Sequence, residues 1–324
     1  SFECRSIFVT MYCDTRSTIT LIFVDVDGVL NVAVADPGKS SLSLDPKNVM
    51  IALKKMRKKS TCDSARRISA TYFHDLDHGE IGPIGMFSNH DSVGICNEFA
   101  RRLAGLMRIA GKCTVVLSSS WRVPRHDSRV RRLEDMVSLH FGAPFTFSDR
   151  TAFAPEHGPG DRLALIGDYM AGFCARRRVH HLRALVLDDF FVTPMGGWKC
   201  DGLEMDSVWS AERYLMGRVP APTTAEVCIL HTYEEFVTPG GLIVQIGAGL
   251  TSRHLCKGLK FFNALCPHCV RCSREEITEV SVGEKTPETR CPPQSRRFSF
   301  TQTFQSFSAS CLEVAERGFA SRDG

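Results

Sequence analysis

The sequence predicts an α/β protein with a three-layer, Rossmann-like parallel sheet. Short apolar segments rich in β-branched residues alternate along the chain with longer segments of helical spacing, and this order is typical of parallel strands joined by right-handed crossovers. The three clearest apolar segments also end in polar residues. Residues at such strand ends lie at the ligand-binding edge of an α/β sheet.

The composition is that of an ordinary folded chain. Of its 324 residues, 43% are hydrophobic and 23% are charged, which excludes a wholly disordered, collagen-like or coiled-coil protein. The length predicts one main domain with an appendage. No segment approaches the ~18 consecutive apolar residues of a membrane-spanning helix, so we expect a cytoplasmic protein with no membrane partner. The net charge of +4 permits a polyanionic substrate without requiring one.

The first strand is predicted at the start of the segment 18–30, where the run ITLIFV leads into Asp25 and Asp27. A continuous apolar run is typical of a central parallel strand, because both of its faces are buried. Residues 1–17 are interpreted as an N-terminal extension that precedes this strand.

A polar segment, 32–92, follows the first strand and is interpreted as an insertion, long enough to form a small cap. We expect one short helix in it, near 48–58. Apolar residues at helical spacing then predict a helix over 97–109, and Gly111 supplies the stop signal after it. The run CTVVL predicts the second strand over 113–117.

The same alternation continues to the end of the main domain. Helical spacing predicts helices over 129–141 and 162–175, and the run LRALVL predicts a strand over 182–187. We place the main domain at 18–235. Residues 240–324 contain several cysteines and lose any helical or strand period towards their end, so we expect a loose, partly disordered tail.

Polar side chains follow each predicted strand. The first strand leads into Asp25 and Asp27, the second into Ser118, and the third into Asp188 and Asp189. Because the carboxyl ends of parallel strands meet at one edge, these groups are expected to converge. Residues two apart on an extended strand point to the same side, so Asp25 and Asp27 would both face this edge. Carboxylates so close need a cation, and Mg²⁺ prefers such oxygen ligands.

These residue types suit phosphoryl transfer, in which one Asp attacks phosphorus and a second moves the proton. Ser118 is expected to donate its hydroxyl and its main-chain N–H to a phosphate oxygen. Ser119 is a second candidate for phosphate binding, although it or Ser120 could instead cap the next helix. Arg162 is the first candidate for the cation that offsets the charge, and the Arg triplet 176–178 is the alternative.

Three segments resemble signatures of the haloacid dehalogenase (HAD) superfamily of hydrolases. VDVDGVLN, from Val24, is similar to the first signature, VVLSSSWR, from Val115, to the second, and LVLDDF, from Leu185, to the paired-Asp form of the fourth. Together they are closest to the Swiss Army Knife RNA repair type. RLALIGDYM, from Arg162, and GLEMDSVWSAERYL, from Gly202, resemble further segments of that family.

The resemblance covers about residues 18–218 and implies a HAD-like fold, an Mg²⁺ cofactor and phosphate binding by the first serine of SSSWR. It implies that Asp25 is the nucleophile, and that Asp27 is the acid/base whose main-chain carbonyl also binds the metal. It makes Asp188 and Asp189 the remaining metal ligands. The chain departs from the family pattern in having no Lys at an obvious third-motif position.

Two other groups of residues have spacings that a metal could use. The HDLDH segment, 74–78, brings imidazoles and carboxylates together but has no second ligand pair. The other group resembles half of a zinc ribbon, without the second CxxC of a full site, so free thiols are the more frequent outcome. Its core residues are Cys266, Cys269 and Cys272, with His268 between them, and its candidate completing ligands are Cys256 and Cys291.

The sequence therefore supports three functional hypotheses. The first is an Mg²⁺-dependent phosphomonoester hydrolase that forms an aspartyl phosphate at Asp25; the resemblance suggests nucleic-acid ends as substrates, and the basic run 54–67 agrees with a polyanion. The second is a phosphotransferase that uses the same Asp. The third is a catalytically silent, HAD-like binding scaffold whose tail docks a partner. Unpaired carboxylates at one edge favour the two enzymes, since a scaffold has no need of them.

Overall fold

A computed structural model describes six stretches of the chain, all within one compact unit. The described residues are 18–35, 42–58, 61–73, 94–153, 159–189 and 198–264. The strands are β1 (Thr18–Val24), β2 (Ala33–Val34), β3 (Leu42–Ser43), β4 (Cys113–Leu117), β5 (Asp149–Arg150), β6 (His181–Asp188), β7 (Trp198–Cys200), β8 (Leu203–Met205), β9 (Thr224–His231), β10 (Tyr233–Val237) and β11 (Ile243–Gly247). The α-helices are α1 (Pro46–Arg57), α2 (Asp63–Phe73), α3 (Asn97–Ala110), α4 (Asp127–Phe141), α5 (Pro159–Arg177), α6 (Val208–Arg218) and α7 (Ser252–Phe261).

The central sheet has five strands in the order β5-β4-β1-β6-β9, and all neighbouring pairs are parallel. The chain starts in the middle with β1, adds β4 and β5 on one side, and then adds β6 and β9 on the other. This order is that of Rossmann-like folds. Helices pack on both faces, so the predicted three-layer, Rossmann-like α/β architecture is confirmed.

Alternate residues of β1 build two hydrophobic cores, one on each face of the sheet. Ile22 and Val24 pack with α3 and α4, whereas Leu21 and Phe23 pack with α5 and α6. All four side chains are fully buried. Burial on both faces explains why the sequence of this strand is continuously apolar rather than alternating.

The main helices lie where helical spacing predicts them, with ends that differ by a few residues. The predicted helices 97–109, 129–141 and 162–175 correspond to α3, α4 and α5. Helix α3 ends at Gly111, whose φ of 67° is a conformation that suits a residue without Cβ. Strand β4 has the predicted bounds, and β6 contains the predicted strand.

A second, antiparallel sheet joins the insertion to the C-terminal part of the described chain. Its strand order is β10-β11-β2-β3, and Ile246 of β11 pairs with Val34 of β2. Both side chains enter the core on the α3 side of the central sheet. The structure therefore differs from the boundary predicted near residue 240, because β11 and α7 belong to the main body. Within its described residues the insertion contains two helices, α1 and α2, where one was predicted.

Several predicted segments lie outside the described residues. They are the N-terminal extension 1–17, the HDLDH segment 74–78 and the tail from residue 265 onwards, which holds all the cysteines of the zinc hypothesis except Cys256. The predictions made for them stay predictions. Within the part of the chain that is described, no helix has both the length and the apolar character needed to cross a membrane.

Candidate active site

The segments that follow β1, β4 and β6 meet at the carboxyl edge of the central sheet. Val24 pairs with the last residue of β4 and with Leu187 of β6, so Ser118, Asp25 and Asp188 stand side by side in one row. Main-chain bonds continue the ladder into this row. The Asp25 N–H donates to the Leu187 carbonyl at 3.0 Å, and the Ser118 N–H donates to the Val24 carbonyl at 2.9 Å. The structure thus brings together the polar ends of the three predicted strands.

Three carboxyl groups form a buried cluster in this edge. Asp25, Asp188 and Asp189 each offer an oxygen, and these oxygens all lie within 4.8 Å of one another. Asp25 is 2% exposed and Asp188 is 0% exposed. Among the described residues, Asp188 Oδ2 has no hydrogen-bond partner. Clustered carboxylate oxygens, one of them buried and unsatisfied, fit a hard divalent cation such as Mg²⁺.

Arg162 lies in the first turn of α5 and reaches this cluster. Its Nη1 donates to Asp25 Oδ2 and, at 3.0 Å, to Asp188 Oδ1, and it lies 3.9 Å from Asp189 Oδ1. By alternation, Asp25 and Asp188 continue the sheet face that packs against α5, which explains why this helix supplies the cation. The alternative triplet 176–178 lies at the other end of the helix, roughly 20 Å away along its axis.

The carboxylate of Asp27 is held outside the cluster. Trp121 Nε1 donates to its Oδ2 at 2.9 Å, and Asn31 Nδ2 donates to its Oδ1 at 3.1 Å. Strand β1 ends at Val24 and a turn begins at Asp27, so Asp27 lies beyond the strand rather than on it. The charge of Asp27 still acts on the carboxyl groups of Asp25 and Asp189, and the expectation that Asp25 and Asp27 face one spot stays a prediction. Metal binding by the Asp27 main-chain carbonyl stays a prediction.

The two serines that follow β4 are engaged differently. Ser118 is 1% exposed, and within the described residues its Oγ has no hydrogen-bond partner, so this hydroxyl can serve a ligand. Its N–H is bonded to the Val24 carbonyl, which contradicts the expectation that the same N–H contacts a phosphate. The Ser119 hydroxyl accepts from the Trp121 N–H at 3.3 Å and bonds to Asp25. The interpretation of Ser119 as a helix cap is confirmed, because it precedes the short 3-10 helix Ser120–Arg122. Its contact with phosphate stays a prediction.

The C-terminal part of the described chain supports the site, which the sequence does not indicate. An added Cβ at Gly28 would lie 2.3 Å from Asp189 Oδ2, and one at Gly247 would lie 2.4 Å from the Gly28 Cα. The Gly28 carbonyl accepts from Thr232 Oγ1 at 2.8 Å and from the Gly249 N–H at 2.9 Å. These contacts fix the turn after β1 against the carboxylate cluster.

No family model matches this chain. Neither a curated protein nor a solved structure has significant similarity to it. The resemblance to HAD hydrolases therefore depends on the short sequence segments named above and on the edge of the sheet where three of them meet.

Burial raises the pKa of all three clustered carboxyl groups. Desolvation is the main cause for each, and repulsion from nearby carboxylates, which include Asp27, adds to it, while the guanidinium of Arg162 acts in the opposite direction. The pKa of Asp188 is raised well above its ordinary value of 3.8, and that of Asp189 is raised to about 7. Without a further cation, the cluster therefore retains protons at pH values where exposed carboxyl groups are ionised.

The free energy of unfolding of the metal-free protein is expected to fall as the pH rises from about 4 to about 7. In this window the folded state keeps a proton on Asp189, whose pKa is about 7 rather than 3.8, while the unfolded state releases it. Folding then takes up protons, so higher pH opposes it. Thermal unfolding in EDTA across this range measures the slope, which should be shallower in Asp189→Asn. An equal slope in the two proteins would rule out this titration.

Proposed function

We propose that this chain is an Mg²⁺-dependent phosphomonoester hydrolase of the HAD type, and that Asp25 forms an aspartyl phosphate. The observation that carries the proposal is the row at the carboxyl edge. There Asp25 stands between the Ser118 hydroxyl, which has no hydrogen-bond partner among the described residues, and the buried carboxylate of Asp188. Such edges are where α/β proteins bind ligands. The motif resemblance supports the same assignment, although fold-level analogy is a weak guide to substrate.

In this proposal the carboxylate of Asp25 attacks phosphorus and the alcohol leaves. Asp25 Oδ1 is held by the Val26 N–H at 2.7 Å, which fixes the orientation of the nucleophile. Arg162, which contacts both Asp25 and Asp188, offsets the repulsion between these carboxylates and an incoming phosphate. The Ser118 hydroxyl donates to a phosphoryl oxygen. Water then hydrolyses the aspartyl phosphate and regenerates Asp25.

Asp27 is the proposed acid and base of the two steps. It protonates the leaving oxygen and later takes a proton from the attacking water. The two bonds from Trp121 and Asn31 hold its carboxylate in one position, close to Asp25 in sequence but outside the carboxylate cluster. This separation leaves one carboxylate free for proton transfer while the others hold a cation.

The residues that would hold Mg²⁺ are Asp25, Asp188 and Asp189, and the resemblance adds the main-chain carbonyl of Asp27. When bound, the metal neutralises phosphoryl oxygens and stabilises the charge of the transition state. Asp188 Oδ2, buried and without a partner in the described residues, is the oxygen that most requires this ligand. Gly28 and Gly247 keep Asp189 close to the other two carboxylates.

The test of the proposal is hydrolysis of p-nitrophenyl phosphate with Mg²⁺ and with EDTA. We expect turnover only with the metal. Release of phosphate to water rather than to an added alcohol separates a hydrolase from a phosphotransferase. A chain that hydrolyses no phosphomonoester with any divalent metal would instead support the silent scaffold.

Replacing Asp27 with Asn is expected to lower kcat by about 10²- to 10⁴-fold, because proton transfer is lost from both steps. The fold should be retained, since the amide can still accept from the indole of Trp121. Steady-state kinetics and circular dichroism measure the two effects. The matched control is Asp135→Asn, which changes an exposed Asp on α4 and should keep wild-type activity. Full activity in Asp27→Asn would remove the acid/base role.

Nucleic-acid ends are the first natural substrates to test, on the strength of the resemblance. Helix α1 presents a group of exposed basic side chains that could guide a polyanion. They are Lys47, Lys54, Lys55, Arg57 and Lys58. Such a group is also typical of a solvated helix face, so salt dependence of kcat/KM on an oligonucleotide end is the relevant measurement.

A further inference from the structure

The row of the candidate active site continues beyond Ser118. Strand β5 pairs with β4 so that Arg150 faces Leu117, and Thr151 therefore stands beside Ser118 at the carboxyl edge. Its main-chain N–H donates to the Leu117 carbonyl at 3.1 Å. In the strand order of the sheet, Thr151 lies one strand from Ser118 and two strands from Asp25. Neighbouring strands are ~4.8 Å apart.

Thr151 carries a buried hydroxyl that has no partner among the described residues. The residue is 4% exposed, and in the described chain its Oγ1 makes no hydrogen bond. The described residues contain five buried side-chain nitrogen or oxygen atoms of this kind, and three of the five belong to this row: Ser118 Oγ, Thr151 Oγ1 and Asp188 Oδ2. Buried polar groups are nearly always satisfied. Their concentration at one edge indicates that this edge binds ligands.

Arginine contacts hold the segment after β5 against the segment after β4. Arg122 Nη1 donates to the Ser119 carbonyl at 2.8 Å, and its Nε donates to the Ala152 carbonyl at 3.2 Å. Arg150 Nη1 in turn donates to the Arg122 carbonyl at 3.0 Å. The bond to the Ala152 carbonyl holds the backbone after Thr151, and pairing with β4 holds the backbone before it, so Thr151 is positioned before a ligand arrives. A prepositioned group binds with a smaller loss of conformational entropy.

We propose that Thr151 Oγ1 binds an oxygen atom of the leaving group, and that the substrate is the phosphate monoester of a hydroxylated alcohol such as a polyol or a sugar. This role rests on the proposed function, in which the transferred phosphoryl group lies between Asp25 and Ser118. Two strand spacings, ~10 Å, separate Thr151 from Asp25, so Thr151 contacts the atoms beyond the ester bond. A threonine hydroxyl can both donate and accept, which suits a hydroxyl or ether oxygen.

The experiment compares glycerol phosphate with phenyl phosphate, whose leaving group has no oxygen beyond the ester bond. Wild-type and Thr151→Val proteins are assayed with Mg²⁺. We expect the ratio of kcat/KM for glycerol phosphate to that for phenyl phosphate to fall roughly five- to tenfold in Thr151→Val. The change should arise mainly from KM for glycerol phosphate. The midpoint of thermal unfolding should not fall, because the substitution removes a buried polar group that has no partner in the described chain.

The matched control is Ser69→Ala on α2. Ser69 also has a buried hydroxyl with no partner among the described residues, but it lies outside the row. The ratio of kcat/KM values for the two esters in Ser69→Ala should therefore equal that of wild type. If the ratio of kcat/KM values for the two esters in Thr151→Val equals the wild-type ratio, the proposal is overturned. This includes the case in which kcat/KM falls equally for both esters, since a purely structural role of Thr151 produces that pattern. If the wild-type protein hydrolyses neither ester, the proposed function is wrong and the role of Thr151 falls with it.

Discussion

Replacing Asp25 with Asn is expected to reduce kcat for phosphate monoesters by a factor on the order of 10³ or more, because an amide does not attack phosphorus. The described carboxylates near Asp25 are engaged otherwise or lie in the proposed metal cluster. Asp27 is bonded to Trp121 and Asn31, and Asp188 lies one strand farther along the row. Hydrolysis of p-nitrophenyl phosphate with Mg²⁺ measures the effect.

The Asp25→Asn protein should remain folded, so the loss of turnover can be assigned to chemistry. The side-chain oxygen of the amide can still accept from the Val26 N–H, which bonds Asp25 Oδ1 at 2.7 Å in the wild type. A neutral amide also costs less to bury than a carboxylate. The unfolding midpoint of the metal-free variant should therefore equal or exceed that of wild type. Equal turnover in the two proteins would remove the nucleophile assignment.

Replacing Gly247 with Ala is expected to weaken Mg²⁺ binding about 10- to 100-fold and to lower the free energy of unfolding by about 1–3 kcal/mol. The new Cβ would lie 2.4 Å from the Gly28 Cα and 2.8 Å from Asp189 Oδ2. Either the turn after β1 or the carboxylate of Asp189 must then move. Calorimetric titration with Mg²⁺ and unfolding in denaturant measure the two effects.

The control for this substitution is Gly217→Ala on α6. A Cβ at Gly217 would meet no atom within 4 Å, and Ala is favoured over Gly in a helix by up to about 1 kcal/mol. Stability should therefore stay the same or increase slightly, and Mg²⁺ affinity should not change. If Gly247→Ala binds Mg²⁺ as tightly as wild type, then β11 does not position Asp189.

The edge of the sheet could be predicted because its signals are local. Strands β1, β4 and β6 each show a continuous apolar run, and the polar residue that enters the site lies at or directly after the end of each run. Parallel pairing alone then makes Asp25, Ser118 and Asp188 converge. The helix cap at Ser119 could also be predicted from local sequence, since a serine directly before a helical turn is a common cap.

Contacts between distant segments could not be predicted from local pattern. Asp27 and Trp121 are 94 residues apart, and Thr232 and Gly28 are 204 residues apart. Periodicity identifies a strand but not its partner, so nothing in the sequence joins β11 to β2 and brings the C-terminal segment to the site. Local pattern also does not show that β1 ends before Asp27, or that Trp121 and Asn31 bind its carboxylate.

The position of Thr151 at the carboxyl edge could not be predicted for a related reason. Strand β5 has only two residues, Asp149 and Arg150, and both are polar. Strand recognition depends on apolar runs of about four residues or more, so this strand leaves no signal in the sequence. Only its register against β4 places Thr151 in the row.

Direct detection of phosphate on Asp25 would test the proposed chemistry most sharply. Wild-type protein is mixed with substrate and Mg²⁺, quenched, and treated with sodium borohydride, which reduces an acyl phosphate to an alcohol and leaves free carboxylates intact. Peptide mass spectrometry then locates the reduced residue. We expect reduction at Asp25 when substrate is present, and none without substrate or in Asp25→Asn. Reduction at a different carboxylate, or none at all during measurable hydrolysis, would contradict a nucleophilic Asp25.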